Sequence, residues 1–224
     1  HGALAQVSND GRAAGVDVIA HRGASAYAPE NTLSAFGLAI DQGADWFELD
    51  CTVSADGEII VIHDDTVDRT TNGTGTVVEL TFEQLRQLDA GSWKDPKFAG
   101  EKLPTLDESL NLGAQRSGVY IEIKDSDDDS ALRDMLLERF DAGRPLSGDE
   151  REEMVHLIGG SGSRNYTLTR AAIETVRARK LQNDVVIQSF SPIVCAIALT
   201  EAPDIRTEFI GEDDVESPAH WDSV

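Results

Sequence analysis

Cysteine is nearly absent: Cys51 and Cys195 are the only two in 224 residues. With no spacing motif around them, they predict neither a disulfide framework nor a cysteine zinc site. Cations are scarce too. Nineteen Lys and Arg stand against 41 Asp and Glu, a formal charge of -22, so the surface field repels polyanions and a sequence-independent grip on nucleic acid is excluded. A phosphate-bearing ligand would need locally gathered cations. Only five of the cations are lysine, and an acid-rich, lysine-poor surface keeps a protein hydrated. No apolar run approaches the roughly 20 residues of a membrane helix. We therefore expect a soluble chain without stable membrane insertion, with periplasmic, secreted and cytoplasmic locations all open. The chain starts at His1, and Ala3-Leu4-Ala5 has the small-x-small form of a signal-peptidase site; an ordinary frayed terminus produces the same pattern.

What is present is 40% hydrophobic content, enough for one sizeable core and a single domain over 1–224. Short β-branched runs alternate with helical periodicity, the pattern of βα units. Six candidate strands are Val16–Ala20, Asp45–Cys51, Glu58–Ile62, Val119–Lys124, Asp184–Ser189 and Ile205–Ile210. Their apolar runs suit strands buried on both faces, hence a parallel sheet. Asn31 or Thr32 caps a helix carrying Leu33, Phe36 and Ile40, with Gly43 as its stop. Thr81–Leu88, Asp107–Leu112, Ala131–Phe140 and Thr167–Arg179 read as further helices, Ala142–Ser147 and Gly159–Asn165 as loops. The turn-rich stretch 65–118 reads as an excursion from one end of the sheet.

The chemistry-bearing residues gather at strand ends: His21-Arg22-Gly23, Glu48-Leu49-Asp50, His63-Asp64 and Glu122-Ile123-Lys124. In parallel α/β architectures the carboxyl ends of the strands form the active face. Alternation puts Glu48 and Asp50 on one face and Leu49 on the other, so two carboxylates meet, and Glu122 adds a third from another strand. An isolated Glu-x-Asp commonly pairs with Arg or Lys. Three carboxylates beside two histidines point instead to a hard divalent cation. His21 and His63 can act as general acid and base, or serve as ligands or structural donors. Arg22 and Lys124 can hold phosphate oxygens or neutralise the acid cluster. Gly23 allows a tight turn, and Cys51, of opposite parity to Asp50, belongs to the core.

Together, His21-Arg22-Gly23, Pro29-Glu30-Asn31-Thr32, Glu48-Leu49-Asp50, His63-Asp64 and Glu122-Ile123-Lys124 resemble the signature of the glycerophosphodiester phosphodiesterases in order and spacing. The resemblance is dense from Asp17 to Lys124 and resumes at Val185–Phe190. It implies a TIM (β/α)8-type barrel with an insertion after the third strand. Glu48, Asp50 and Glu122 would bind Ca2+ or Mg2+, and His21 and His63 would be acid and base. The substrate would be a small glycerophosphodiester, cleaved through a cyclic phosphate to an alcohol and glycerol phosphate. Two features depart from the pattern. The link 125–183 is long, and with six strands before Val224 the last two βα units are missing, Trp221 matching no position in the final strand. Within the superfamily the alternative is phospholipase D-like action on lysophospholipid or sphingolipid head groups; from another class, a non-catalytic phosphate-binding barrel.

Overall fold

The computed structural model describes residues 16–124, 127–140 and 144–211. Ala3-Leu4-Ala5, Asp125 and Trp221 lie outside them. Six strands form one sheet: β1 (Ile19–Ala20), β2 (Trp46–Val53), β3 (Ile59–Val61), β4 (Gly118–Ile123), β5 (Val185–Ser189) and β6 (Arg206–Phe209). Five of them run parallel in the order β1-β2-β4-β5-β6. The third is different. β3 pairs antiparallel with the far end of β2, Cys51 opposite Val61 and Val53 opposite Ile59, so the expectation of parallel pairing fails for Glu58–Ile62. The cause is local. Residues 54–58 close a hairpin in which the Ser54 amide donates to the Glu58 carbonyl at 2.9 Å, far too short a link for a parallel crossover.

Helices cover one face of the sheet. α1 (Leu33–Asp41) starts at Thr32, whose hydroxyl accepts from the Ala35 amide, and it seats Phe36 on Phe47 of β2 with ring centroids 4.6 Å apart. The excursion after β3 holds α2 (Phe82–Gln87) and α3 (Leu106–Gly113), each opened by a reciprocal Thr–Gln or Thr–Glu cap. It encloses a small core of its own around Ile60, Ile62, Val77 and Leu85. After β4 come α4 (Ser130–Arg139), α5 (Gly148–Ser161) and α6 (Arg164–Ala178), and α7 (Pro192–Glu201) links β5 to β6.

One expectation is corrected here, and one element is new. Gly159–Asn165 is not a loop: α5 runs through Gly159 and Gly160 to Ser161, Gly162 closes it with φ +81°, and α6 begins at Arg164. Gly159 is small because a Cβ there would meet the Tyr166 ring at 2.9 Å, which lets the two helices approach closely. Helix α7 has no counterpart in the sequence reading. Among the described residues no helix is long and apolar enough to cross a membrane.

Phe47, Leu49 and Cys51 of β2 join Ile121, Ile123, Val185 and Ile187 in the main core beneath the helices. The other parity of the same strands therefore faces away from the helices. Glu48, Asp50 and Glu122 lie on it.

Candidate active site

Register makes the first contact: Asp50 and Glu122 are paired neighbours on β2 and β4, and Glu48 lies two residues before Asp50 on the same face. One ligand oxygen from each of the three lies within 4.8 Å of the others, and all three residues are buried. Burial, then the Asp50 charge, push Glu48 up to about 8, with Glu122 adding to the rise and the Arg22 amide opposing it. Glu48 Oε1 and Asp50 Oδ1 are buried without a hydrogen bond. Oxygen-only donors with two unsatisfied buried oxygens suit a hard divalent cation.

The chain around this cradle is shaped to present it. Arg22, at φ +57°, donates its amide to Glu48 Oε2 at 2.8 Å. Gly23 follows at φ +76°, packed so closely on α1 that a Cβ would lie 2.7 Å from the Ala35 carbonyl carbon. Buried Asn31, also at φ +57°, grips Asp50 from both sides: its Nδ2 donates to Asp50 Oδ2 at 2.8 Å and its Oδ1 accepts from the Asp50 amide at 3.2 Å. The side chains of Arg22 and Lys124 rest on the cluster. Arg22 Nε is 3.3 Å from Asp50 Oδ2, and Lys124 Nζ is 2.9 Å from Glu122 Oε1 and 3.9 Å from Asp50 Oδ1. Both cations offset carboxylate repulsion.

His63 follows β3, the antiparallel neighbour of β2. The Ile62 amide donates to the Asp50 carbonyl at 3.0 Å, so the residue after it leaves the sheet beside the cradle. Its Nδ1 lies 2.6 Å from Asp64 Oδ1. The Arg69 hydrogen bonds hold Asp64 well below the usual carboxylate range; an ionised carboxylate only accepts, so Nδ1 carries a proton, and in the neutral imidazole Nε2 is then the acceptor. His21 is one residue beyond the Ala20–Phe47 register pair, with the Arg22–Glu48 bond next in the chain. It is exposed, and its carbonyl accepts from Ser25 Oγ at 2.9 Å.

Sequence reasoning gave no role to Glu30 or Arg69 and read Asn31 only as a candidate helix cap. Glu30 and Asn31 stood in the Pro29–Thr32 motif, a usable signal; Arg69 sat unremarked among turn residues. Glu30 accepts from Arg22 and Arg69 at 2.8 to 3.0 Å. Burial pushes Glu30 up, but the hydrogen bonds from Arg69 and Arg22 outweigh it and leave the carboxyl below its ordinary value.

The Glycerophosphoryl diester phosphodiesterase family matches residues 21–143, a span that contains every residue of this site. The chain belongs to that family. A glycerophosphodiester phosphodiesterase of Caldanaerobacter subterraneus subsp. tengcongensis is 54% identical over 108 residues, 48% of this chain and 44% of that protein. The crystal structure of a glycerophosphodiester phosphodiesterase from Agrobacterium tumefaciens superposes with a TM-score of 0.63 at 34% identity, covering 86% of this chain and 65% of that one. An Oleispira antarctica phosphodiesterase, solved in complex with the product sn-glycerol-3-phosphate, gives a TM-score of 0.65 at 30% identity, covering 87% and 65%. The chain thus spans less than half the length of the Caldanaerobacter relative and about two thirds of the two solved structures. Family structures are TIM barrels, and the fold here is α/β of that type, with β3 a hairpin strand added to the parallel path.

Proposed function

We propose that this chain hydrolyses glycerophosphodiesters to an alcohol and glycerol 3-phosphate, with Ca2+ or Mg2+ held by Glu48, Asp50 and Glu122. The observation that carries the proposal is the buried three-carboxylate cradle with two unsatisfied oxygens, together with a histidine at the end of the neighbouring strand whose Nδ1 is held by Asp64. When bound, a divalent cation supplies positive charge that polarises the phosphoryl group and acidifies a nearby hydroxyl.

The protein groups divide the proton transfers. His63 Nε2 takes the proton of the glycerol hydroxyl beside the phosphodiester as that oxygen bonds to phosphorus, and His21 protonates the head-group oxygen as its bond to phosphorus breaks. The roles reverse when water opens the cyclic phosphate. Arg22 and Lys124 turn part of their charge toward the equatorial phosphoryl oxygens, stabilising what accumulates there. An attacking group already attached to the substrate also removes the entropy cost of a second molecule.

The test is release of glycerol phosphate from glycerophosphocholine and glycerophosphoethanolamine with Ca2+, Mg2+ or EDTA, alongside His21→Ala, His63→Ala and Glu48→Gln. Metal-dependent release lost in all three variants is the expected result. Cation binding by the folded chain with no release would mean a phosphate-binding barrel and overturn the enzymatic reading.

A further inference from the structure

Resting on that reading of His63, we propose that Arg69 is a positioning residue: its guanidinium, forked onto both Asp64 and Glu30, locks the His63 imidazole relative to the carboxylate cradle. Four hydrogen bonds carry the clamp. Arg69 Nε and Nη2 reach the two oxygens of Asp64 at 2.6 and 2.9 Å, and Nη1 and Nη2 reach the two oxygens of Glu30 at 3.0 and 2.8 Å. Beyond Asp64 stands His63, 2.6 Å away; beyond Glu30 stands Arg22 Nη1 at 3.0 Å, whose Nε lies 3.3 Å from Asp50. One continuous path of polar contacts therefore joins the candidate general base to a cradle carboxylate.

His63 and Asp64 lie in a bend past the end of β3, where no ladder pairing fixes their side chains, so the contact between them needs something to hold it. Arg69 is well placed to do so. Its loop is pinned where the Val67 amide donates to the Gly75 carbonyl at 3.0 Å and Thr71 Oγ1 donates to the Val67 carbonyl at 2.7 Å. An exposed ion pair contributes little to stability, and the Arg69 side chain is 45% exposed. Its partners are not: Glu30 and Asp64 side chains are 14% and 28% exposed, and a planar fork fixes orientation where a lysine ammonium, a point charge, fixes only proximity. The consequence is geometric rather than thermodynamic: loss of Arg69 frees Asp64 to rotate and releases His63 Nδ1.

The test compares wild type, Arg69→Ala and Arg69→Lys by two readouts. Side-chain 15N NMR of His63 at neutral pH, without metal, is expected to show the Nδ1–H tautomer in wild type and mixed tautomers in both variants. Turnover of glycerophosphocholine with Ca2+ is expected to fall roughly 10–100-fold in Arg69→Ala and to recover several-fold with added guanidinium but not with equal ammonium. An unchanged tautomer in Arg69→Ala, or kcat within twofold of wild type, overturns the clamp. Should Arg69→Ala fail to fold, Arg69→Lys decides: loss of the Nδ1–H tautomer supports the clamp and its retention overturns it. A wild-type chain that releases no glycerol phosphate refutes the hydrolytic reading alone, and the tautomer measurement then decides the clamp unaided.

Discussion

The Arg22 amide holds one oxygen of Glu48 at 2.8 Å, while the other, Oε1, is buried and unsatisfied among carboxylates. Backbone thus fixes the side chain with its free oxygen facing repulsion. In Glu48→Gln the oxygen can keep the Arg22 bond while the amide NH2 turns donors toward Asp50 and Glu122. We expect this variant to melt higher than wild type in EDTA and to lose most of the rise in Tm that Ca2+ gives wild type. Calorimetric melts check both; a variant less stable than wild type in EDTA would sink the argument.

The same group sets a pH dependence. An unfolded glutamate ionises near about 4.3, whereas folded Glu48 holds its proton up to about 8. Between those values the folded state binds more protons, so this contribution to stability is present at low pH and is lost as pH rises through the window. Metal-free wild type should therefore lose Tm relative to Glu48→Gln between pH 5 and 8 and run parallel to it above. Melts of the two chains across that range decide it, parallel curves throughout being the contrary result. Cation binding should also release protons below pH 8.

Asn31→Ala removes both amide contacts to Asp50, leaving its Oδ2 with the 3.3 Å Arg22 Nε contact and its backbone amide without the Asn31 acceptor. With a φ of +57° in addition, the expected loss is about 2–4 kcal/mol by urea unfolding. Cation affinity should drop roughly 10–100-fold. Unchanged calcium affinity by titration calorimetry would remove Asn31 from the site's support.

Gly23→Ala forces a Cβ to 2.7 Å from the α1 backbone at a φ of +76°. The backbone must shift, and the Arg22 amide shifts with it. We expect more than about 2 kcal/mol of destabilisation together with weaker metal-induced stabilisation, both read from melts with and without Ca2+.

Much of this site was legible because strand alternation is a local rule: Glu48, Asp50 and Cys51 separated by parity alone, and Thr32 and Gly43 marked the ends of α1. The direction of β3 was not legible, since an apolar run reads alike either way and only the length of the 54–58 turn bears on it. Nor was the Arg69–Glu30 contact, which joins residues 39 apart in sequence, where no periodicity operates. Helix α5 was hidden by its glycines, although Ser147 and Glu150 form a reciprocal cap that the spacing Ser-x-x-Glu advertises. Helix α7, Pro-Ile-Val-Cys-Ala-Ile-Ala-Leu, is apolar on nearly every side, so its pattern carries no helical period, and only Ser191-Pro192 signals the start.

The hairpin between β2 and β3 acts as a gauge. The separation between Asp50 and His63 is counted out by one short turn, tied by Ser54 to Glu58 through amide and hydroxyl alike. One residue gained or lost there would invert the facing of all that follows on β3. The excursion beyond Asp64 next meets the sheet at Pro104 and Thr105, beside β3, and carries its own small core, so the length of 65–103 is free of that constraint. Evolution can therefore recast the excursion by insertion and deletion while the five-residue turn stays fixed in length.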